Sequence, residues 1–122
     1  SPIGNLKGEW SYYQPDNDGK YSSRDGKFQL ETADLKSGYT IISQTIGLPQ
    51  PIDKEILAGP YHLNSTAKVK KNVDLVMHLN SEADKVKLLM WDGKSYQTIA
   101  SKVSGKTLMA NINSLGTYLV VR

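Results

Sequence analysis

The sequence contains no cysteine and only two histidines among 122 residues. The lack of cysteine excludes disulfides, thiolate metal sites and cysteine nucleophiles. Two histidines are too few for most histidine-built metal centres. Apolar runs extend only a few residues, so we predict no membrane insertion.

The composition is that of one globular domain. Hydrophobic residues make up 39%, and 15 Lys and Arg against 12 Asp and Glu give a net charge of +3. We predict a single module over residues 1–122, since this length suits one domain. The chain begins at Ser1 and ends in an apolar run, so we expect a module excised from a larger protein. The absence of cysteine and the many Lys, Asn, Ser and Thr residues favour a secreted or cell-surface protein of a Gram-positive host.

Alternating apolar residues predict strands rather than helices. Val73, Leu75 and Met77 alternate with more polar neighbours, and no long window keeps a helical apolar stripe. Turn signals recur at the spacing of a sandwich or barrel. We predict an all-β antiparallel β-sandwich of eight or nine strands, of the Ig-like or Greek-key type. The predicted strands are 8–14, 28–31, 39–45, 56–63, 73–80, 85–91, 96–103, 107–113 and 116–121.

Three local signals sharpen this prediction. Pro60 lacks an N–H, so its strand should lie at a sheet edge or contain a bulge. The Asp92-Gly93 pair predicts a hairpin turn. Tyr118 follows Gly116 at a strand entry, which is typical of a tyrosine corner. The alternative for Tyr118 is an ordinary half-buried strand residue.

Residues 57–122 resemble Ig-like and Greek-key accessory modules of secreted or cell-surface proteins. The resemblance lies in a central strand, a strand ending in an Asp-Gly turn with an aromatic after it, and a closing Gly-Thr-Tyr strand. The segments that carry it are Leu57–Leu63, Val73–Met77, Leu88–Tyr96 and Leu115–Val120.

Similar sandwiches occur in adhesion-receptor autoproteolysis domains and netrin-receptor-like domains. The autoproteolysis site is His-Leu-Thr or His-Leu-Ser, whereas this chain has Asn64 and Asn80 at the third position. Asparagine has no nucleophilic hydroxyl, so we expect no self-cleavage.

Other catalytic arrangements are weakly supported. No Gly-x-Ser-x-Gly elbow accompanies His62 or His78. Paired carboxylates for glycoside hydrolysis could be drawn from four acidic residues, but a domain of 122 residues leaves little room for a substrate cleft as well as a core. We therefore predict that the protein is not an enzyme. The carboxylates are Glu9, Glu31, Asp74 and Asp92.

The loop from Asp16 to Asp25 has acidic spacing that faintly suggests calcium. However, the first ligand position holds Gln14 and the last holds the short Asp25. A polar turn is the favoured interpretation, and we predict no metal or cofactor.

Lysines form one basic stretch, with Lys68, Lys70 and Lys71 followed by Lys85 and Lys87. It contains no arginine and no interleaved aromatics, so we predict no nucleic-acid binding. A solvated face is the favoured interpretation, and contact with anionic wall polymer is the alternative.

Aromatic residues provide the candidate binding site. Carbohydrates stack their CH faces on flat aromatic rings, while nearby Asp, Asn and Gln bind their hydroxyls. The candidate site for cell-wall or plant polysaccharide therefore consists of Trp10, Tyr12, Gln14, Asp16, Trp91 and Tyr96. The competing interpretation is that one Trp and most of the Tyr residues belong to the core or to the sheet surface, as strand propensity predicts.

We predict a non-catalytic accessory module whose partners are the neighbouring domains of its own chain. Carbohydrate binding is the alternative. Exposure of the aromatic rings would distinguish the two functions.

Overall fold

The computed structural model describes residues 10–44, 47–71 and 73–122. These residues form eleven β-strands, and no helix among them is long and apolar enough to cross a membrane. The strands are β1 (Trp10–Tyr13), β2 (Lys20–Ser22), β3 (Phe28–Glu31), β4 (Thr40–Gln44), β5 (Ile56–Ser65), β6 (Val73–His78), β7 (Lys87–Trp91), β8 (Tyr96–Ile99), β9 (Ser101–Ser104), β10 (Thr107–Ile112) and β11 (Gly116–Val121).

The strands build two antiparallel sheets. The six-stranded sheet has the order β1-β4-β5-β11-β7-β8, and the five-stranded sheet has the order β2-β3-β6-β10-β9. The predicted all-β antiparallel sandwich is therefore confirmed. Its core lies between the sheets, because alternate residues of each strand point to one face. Its largest fully buried side chains include Tyr21, Phe28, Ile42, Leu63, Leu75, Met77, Leu88, Leu108 and Tyr118.

The structure has more strands than the eight or nine predicted. The three-residue strand β2 was not predicted, because only Tyr21 in it is apolar. The predicted strand 96–103 is divided at Ala100 into β8 and β9, which belong to different sheets. A change of sheet within one extended run forms a corner of the sandwich. Residues 8 and 9 of the first predicted strand and Thr45 of the third lie outside the described residues.

Strand β5 is central, not at an edge, since it pairs with both β4 and β11. The edge alternative for Pro60 was therefore wrong. The other alternative was a bulge, and the register between β5 and β11 does shift there, since Tyr118 pairs with Tyr61 but Val120 pairs with Ala58. The Gly59–Pro60 peptide bond is cis. An added Cβ at Gly59 would lie 2.8 Å from the Tyr118 carbonyl oxygen, so no side chain fits there.

In a tyrosine corner the tyrosine hydroxyl bonds the backbone a few residues upstream, and this hydrogen bond is present. The hydroxyl of Tyr118 donates to the Ser114 carbonyl oxygen at 2.6 Å. Tyr118 is fully buried, so this bond satisfies a polar atom inside the core. Burial raises the pKa of the Tyr118 hydroxyl, which keeps it protonated as a donor.

A second, smaller hydrophobic cluster covers part of the outward face of the six-stranded sheet. Leu89, Leu119 and Val121 are buried there. The segment 47–55 lies over them and contributes Leu48 and Ile52. The cluster covers the outward face of β7 and β11 at these three residues, and β1 and β4 contribute no member to it.

Candidate functional site

The exposed large hydrophobic side chains concentrate at one corner of the six-stranded sheet. Four of the six that are exposed among the described residues belong to β1, to β4 or to the residue before β4. They are Trp10 (37% exposed), Tyr12 (46%), Tyr39 (50%) and Ile41 (40%), and together we call them the aromatic patch.

The alternation of β1 and β4 explains why these side chains point outward. Trp10 pairs with Ser43, and Tyr12 pairs with Ile41. Paired residues of neighbouring strands share a face of the sheet. The residues between them point inward, because Ile42 is fully buried and the hydroxyl of Tyr13 bonds the Ser22 backbone in the other sheet. The predicted common face of Trp10 and Tyr12 is confirmed.

Two rings of the patch are aligned. Tyr12 and Tyr39 lie with their ring centroids 6.1 Å apart and their planes within 17° of parallel. The side chains of Tyr12, Tyr39 and Ile41 line a surface depression of about 360 Å³ together with Asn64, Ser65 and Thr66. The backbone beneath Tyr39 is fixed, because its N–H donates to Thr66 Oγ1 at 2.9 Å and its carbonyl accepts the Thr66 N–H at 3.0 Å.

The outward face continues across the sheet as a row with one residue from each strand. Each residue of this row is the direct pairing partner of the next residue, on the neighbouring strand. We call it the outward row, and in order from β1 to β8 it contains Trp10, Ser43, His62, Thr117, Trp91 and Tyr96. None of these side chains carries a fixed charge.

His62 occupies the middle of the outward row. Its Nδ1 lies 2.9 Å from Thr117 Oγ1, which fixes the ring in place. Desolvation lowers the pKa of His62, so the imidazole is neutral at neutral pH. The centre of the row is therefore polar and uncharged.

Trp91 and Tyr96 lie at the far end of the row from Trp10. Their rings meet edge to face at 5.0 Å, and both are half-buried. The Tyr96 hydroxyl donates to the Gln50 carbonyl oxygen at 2.7 Å, which ties it to the segment over the second cluster. Four strand spacings of about 4.8 Å separate β1 from β7, so Trp91 lies roughly 19 Å from Trp10.

Gln14 and Asp16 follow β1 in a turn, and both are exposed. Asp16 adopts a positive φ of 63°, and its N–H donates to the Lys36 carbonyl oxygen at 2.8 Å. They lie just beyond the end of the strand that carries Trp10 and Tyr12. The structure thus brings Trp10 and Tyr12 together and places Trp91 and Tyr96 on the same face at a distance.

Sequence reasoning missed Tyr39 and Ile41. Both were assigned to a strand, but nothing showed that this strand would pair with β1. The available signal was that Tyr39 and Ile41 lie on one face of their strand and Thr40 and Ile42 on the other. The residues of β1 alternate in the same way. Register was needed to place the two outward sets side by side.

The carboxylates of two turns, Asp92 and Asp25, accept hydrogen bonds from other groups of the protein. Asp92 accepts the N–H groups of Ser95 and Lys94, which hold the pKa of its carboxyl below the usual range. Asp25 accepts hydrogen bonds from Ser23 and Tyr61. Among residues 10–44, 47–71 and 73–122, no group of three or more His, Asp or Glu side chains could hold a metal ion.

Glu31 and Asp74 are paired across β3 and β6 on the outward face of the five-stranded sheet. Asn111 donates to Asp74 at 2.6 Å. The fourth predicted carboxylate, Glu9, lies outside the described residues.

Comparison of the chain with family models, curated proteins and solved structures found no match.

Proposed function

We propose that this domain is a non-catalytic module that binds a neutral glycan through the aromatic patch. The observation that carries the proposal is the concentration of exposed rings at one corner, beside uncharged hydrogen-bonding side chains. The setting we propose is an accessory domain of a secreted or cell-surface protein, with an Ig-like or Greek-key sandwich as its scaffold. The other domains of that protein are then its partners.

The chemistry of the patch suits a sugar. A pyranose ring has an apolar face of CH groups and an edge of hydroxyls. Tyr12 and Tyr39 offer aligned rings, and such surfaces combine apolar contact with a polar handle. Asn64 and Thr66 line the same depression and supply amide and hydroxyl groups. A mostly apolar surface with a few placed polar groups is typical of a ligand site.

The absence of charge favours a neutral glycan over an anionic polymer. The paired outward residues of β1, β4 and β5 are Trp10, Tyr12, Ile41, Ser43, His62 and Asn64. His62 is neutral at neutral pH, because desolvation lowers its pKa. Binding of an anionic polymer gains from fixed cations, and these positions supply none.

Affinity electrophoresis tests the proposal. The protein is run through gels that contain soluble xylan, mixed-linkage β-glucan or galactomannan, and through a gel with anionic polygalacturonate. We expect retardation by at least one neutral polymer. The Trp10→Ala and Tyr12→Ala variants should each weaken it about tenfold, which corresponds to about 1.4 kcal/mol.

Met109→Ala is the matched control, since Met109 is 51% exposed on the other sheet. It should bind like the wild type. The same proteins are also mixed with insoluble cell-wall glycan and chitin. Retention by none of the neutral polymers, or binding that survives both aromatic substitutions, would contradict the proposal.

A further inference from the structure

We infer that the ligand is a single extended polysaccharide chain that crosses the strands along the outward row, from Trp10 toward Trp91. This inference rests on the proposed function and adds the direction and length of the ligand. It starts from the register, which connects Trp10 to Ser43, Ser43 to His62, His62 to Thr117 and Thr117 to Trp91.

The spacing of the row matches a polymer of sugars. Neighbouring strands are about 4.8 Å apart, so the row offers one side chain at each such step. One pyranose residue with its linking oxygen adds a similar length to an extended chain. Each sugar of a chain that crosses the strands would therefore advance by one member of the row, of which Thr117 alone is buried. A chain that ran along β1 would meet Trp10 and Tyr12 but no member of the row beyond them.

The row has aromatic rings at its two ends and polar residues between them. Trp10 and Trp91 provide rings at the two ends, and Ser43 and His62 provide hydrogen-bonding groups between them, whereas Thr117 is buried and holds His62. The contact between His62 Nδ1 and Thr117 Oγ1 at 2.9 Å fixes the imidazole. The Nε2 atom then remains for a hydroxyl of the ligand.

The twist of the sheet decides between a single chain and a flat surface. Neighbouring strands rotate by about 20–25°, which adds up to roughly 80–100° over the four spacings from β1 to β7. With that twist, the rings of Trp10 and Trp91 would project in different directions about the axis of the row. A flat crystalline polymer face cannot contact both rings, whereas a single chain can follow the twist.

The far end of the row is rigid. Trp91 packs edge to face on Tyr96, and Tyr96 is tied to Gln50 in the segment that covers the second hydrophobic cluster. A ligand that reaches Trp91 thus meets a ring held in place before binding. Binding to a preorganised group loses less side-chain entropy.

Isothermal titration with oligosaccharides of increasing length tests this inference, using the polymer that retards the protein. We expect affinity to rise with each sugar until the chain spans the row, with a total gain of about a hundredfold or more over the disaccharide. Trp91→Ala should weaken the longest oligosaccharide about tenfold and leave the disaccharide unchanged. Crystalline cellulose should not retain the protein.

Ser43→Glu places a charge within the row, between Trp10 and His62, and is the substitute variant if Trp91→Ala does not fold. It should weaken long oligosaccharides, whereas Thr98→Glu, on β8 and outside the row, should not. This inference is overturned if affinity stops rising at the disaccharide and does not change on substitution of Trp91 or Ser43. If Trp10→Ala still abolishes binding in that case, the proposed function remains intact. If the Trp10→Ala substitution also leaves the affinity unchanged, both this inference and the proposed function are contradicted.

Discussion

Removing one hydroxyl at Tyr61 gives the sharpest test of the sandwich itself. Tyr61 is buried in β5 of the six-stranded sheet, and its hydroxyl donates to Asp25 Oδ2 at 2.7 Å. Asp25 lies in the turn before β3 of the other sheet, so this bond joins the two sheets. Tyr61→Phe removes the bond and keeps the ring, which packs on Phe28 with centroids 5.1 Å apart.

The magnitude follows from the type of bond. A hydrogen bond to a charged group contributes about 1.5–3 kcal/mol, and the exposure of Asp25 favours the lower end of that range. We therefore expect Tyr61→Phe to lower the free energy of unfolding by about 1.5 kcal/mol near neutral pH. For a domain of this size the melting temperature should fall by about 6 °C.

The effect should depend on pH. Burial alone would raise the pKa of Asp25, but hydrogen bonds from Ser23, the Lys27 N–H and Tyr61 lower it below the ordinary value. A carboxyl with a depressed pKa stabilises the fold above its unfolded pKa, and this contribution is lost as the pH falls through the folded pKa. The difference between wild type and Tyr61→Phe should therefore shrink below about pH 4.

Urea unfolding followed by circular dichroism, between about pH 7 and about pH 3, measures this difference. Tyr96→Phe is the control, because its hydroxyl bonds Gln50 in an exposed segment and its loss should cost less than about 0.5 kcal/mol. A Tyr61→Phe effect that is the same at both ends of the pH range would refute the link between Tyr61 and ionised Asp25.

Two further predictions concern stability. Gly59→Ala should lower the free energy of unfolding by about 2 kcal/mol or more, because Gly59 has a φ of +91° and an added Cβ would meet the Tyr118 carbonyl oxygen at 2.8 Å. Thermal denaturation measures this loss, and Gly93→Ala, which has a similar φ but open space around it, separates the clash from the strain. Tyr118→Phe should cost about 1–2 kcal/mol, because the Ser114 carbonyl oxygen loses its donor. Urea unfolding that gave wild-type stability would show that water replaces the hydroxyl.

Much of the fold was predictable because burial leaves a period of two in the sequence. Strand β6 was found from Val73, Leu75 and Met77, which all point into the core. Strand β2 escaped because three residues with one buried side chain carry no such period. The division at Ala100 escaped because an extended backbone passes from β8 to β9, and only the pairing partners distinguish the two sheets.

The candidate site was predictable only in part, because it depends on which strands become neighbours. Trp10 and Tyr12 were identified from their shared face in one strand. Their proximity to Tyr39 and Ile41 follows from the pairing of β1 with β4. The alignment of His62 and Thr117 with Trp10 depends on three successive registers, and no local sequence signal fixes a register between distant strands.

The position of β11 has a consequence for how the chain acquires its structure. This strand comes last among the eleven, yet it lies between β5 and β7 in the interior of its sheet. Until residues 116–121 have emerged from the ribosome, both neighbours present open edges that invite wrong partners. A nascent or truncated polypeptide ending before Gly116 should therefore depend on chaperones and aggregate readily. Completion of the domain is delayed until translation has passed Val121.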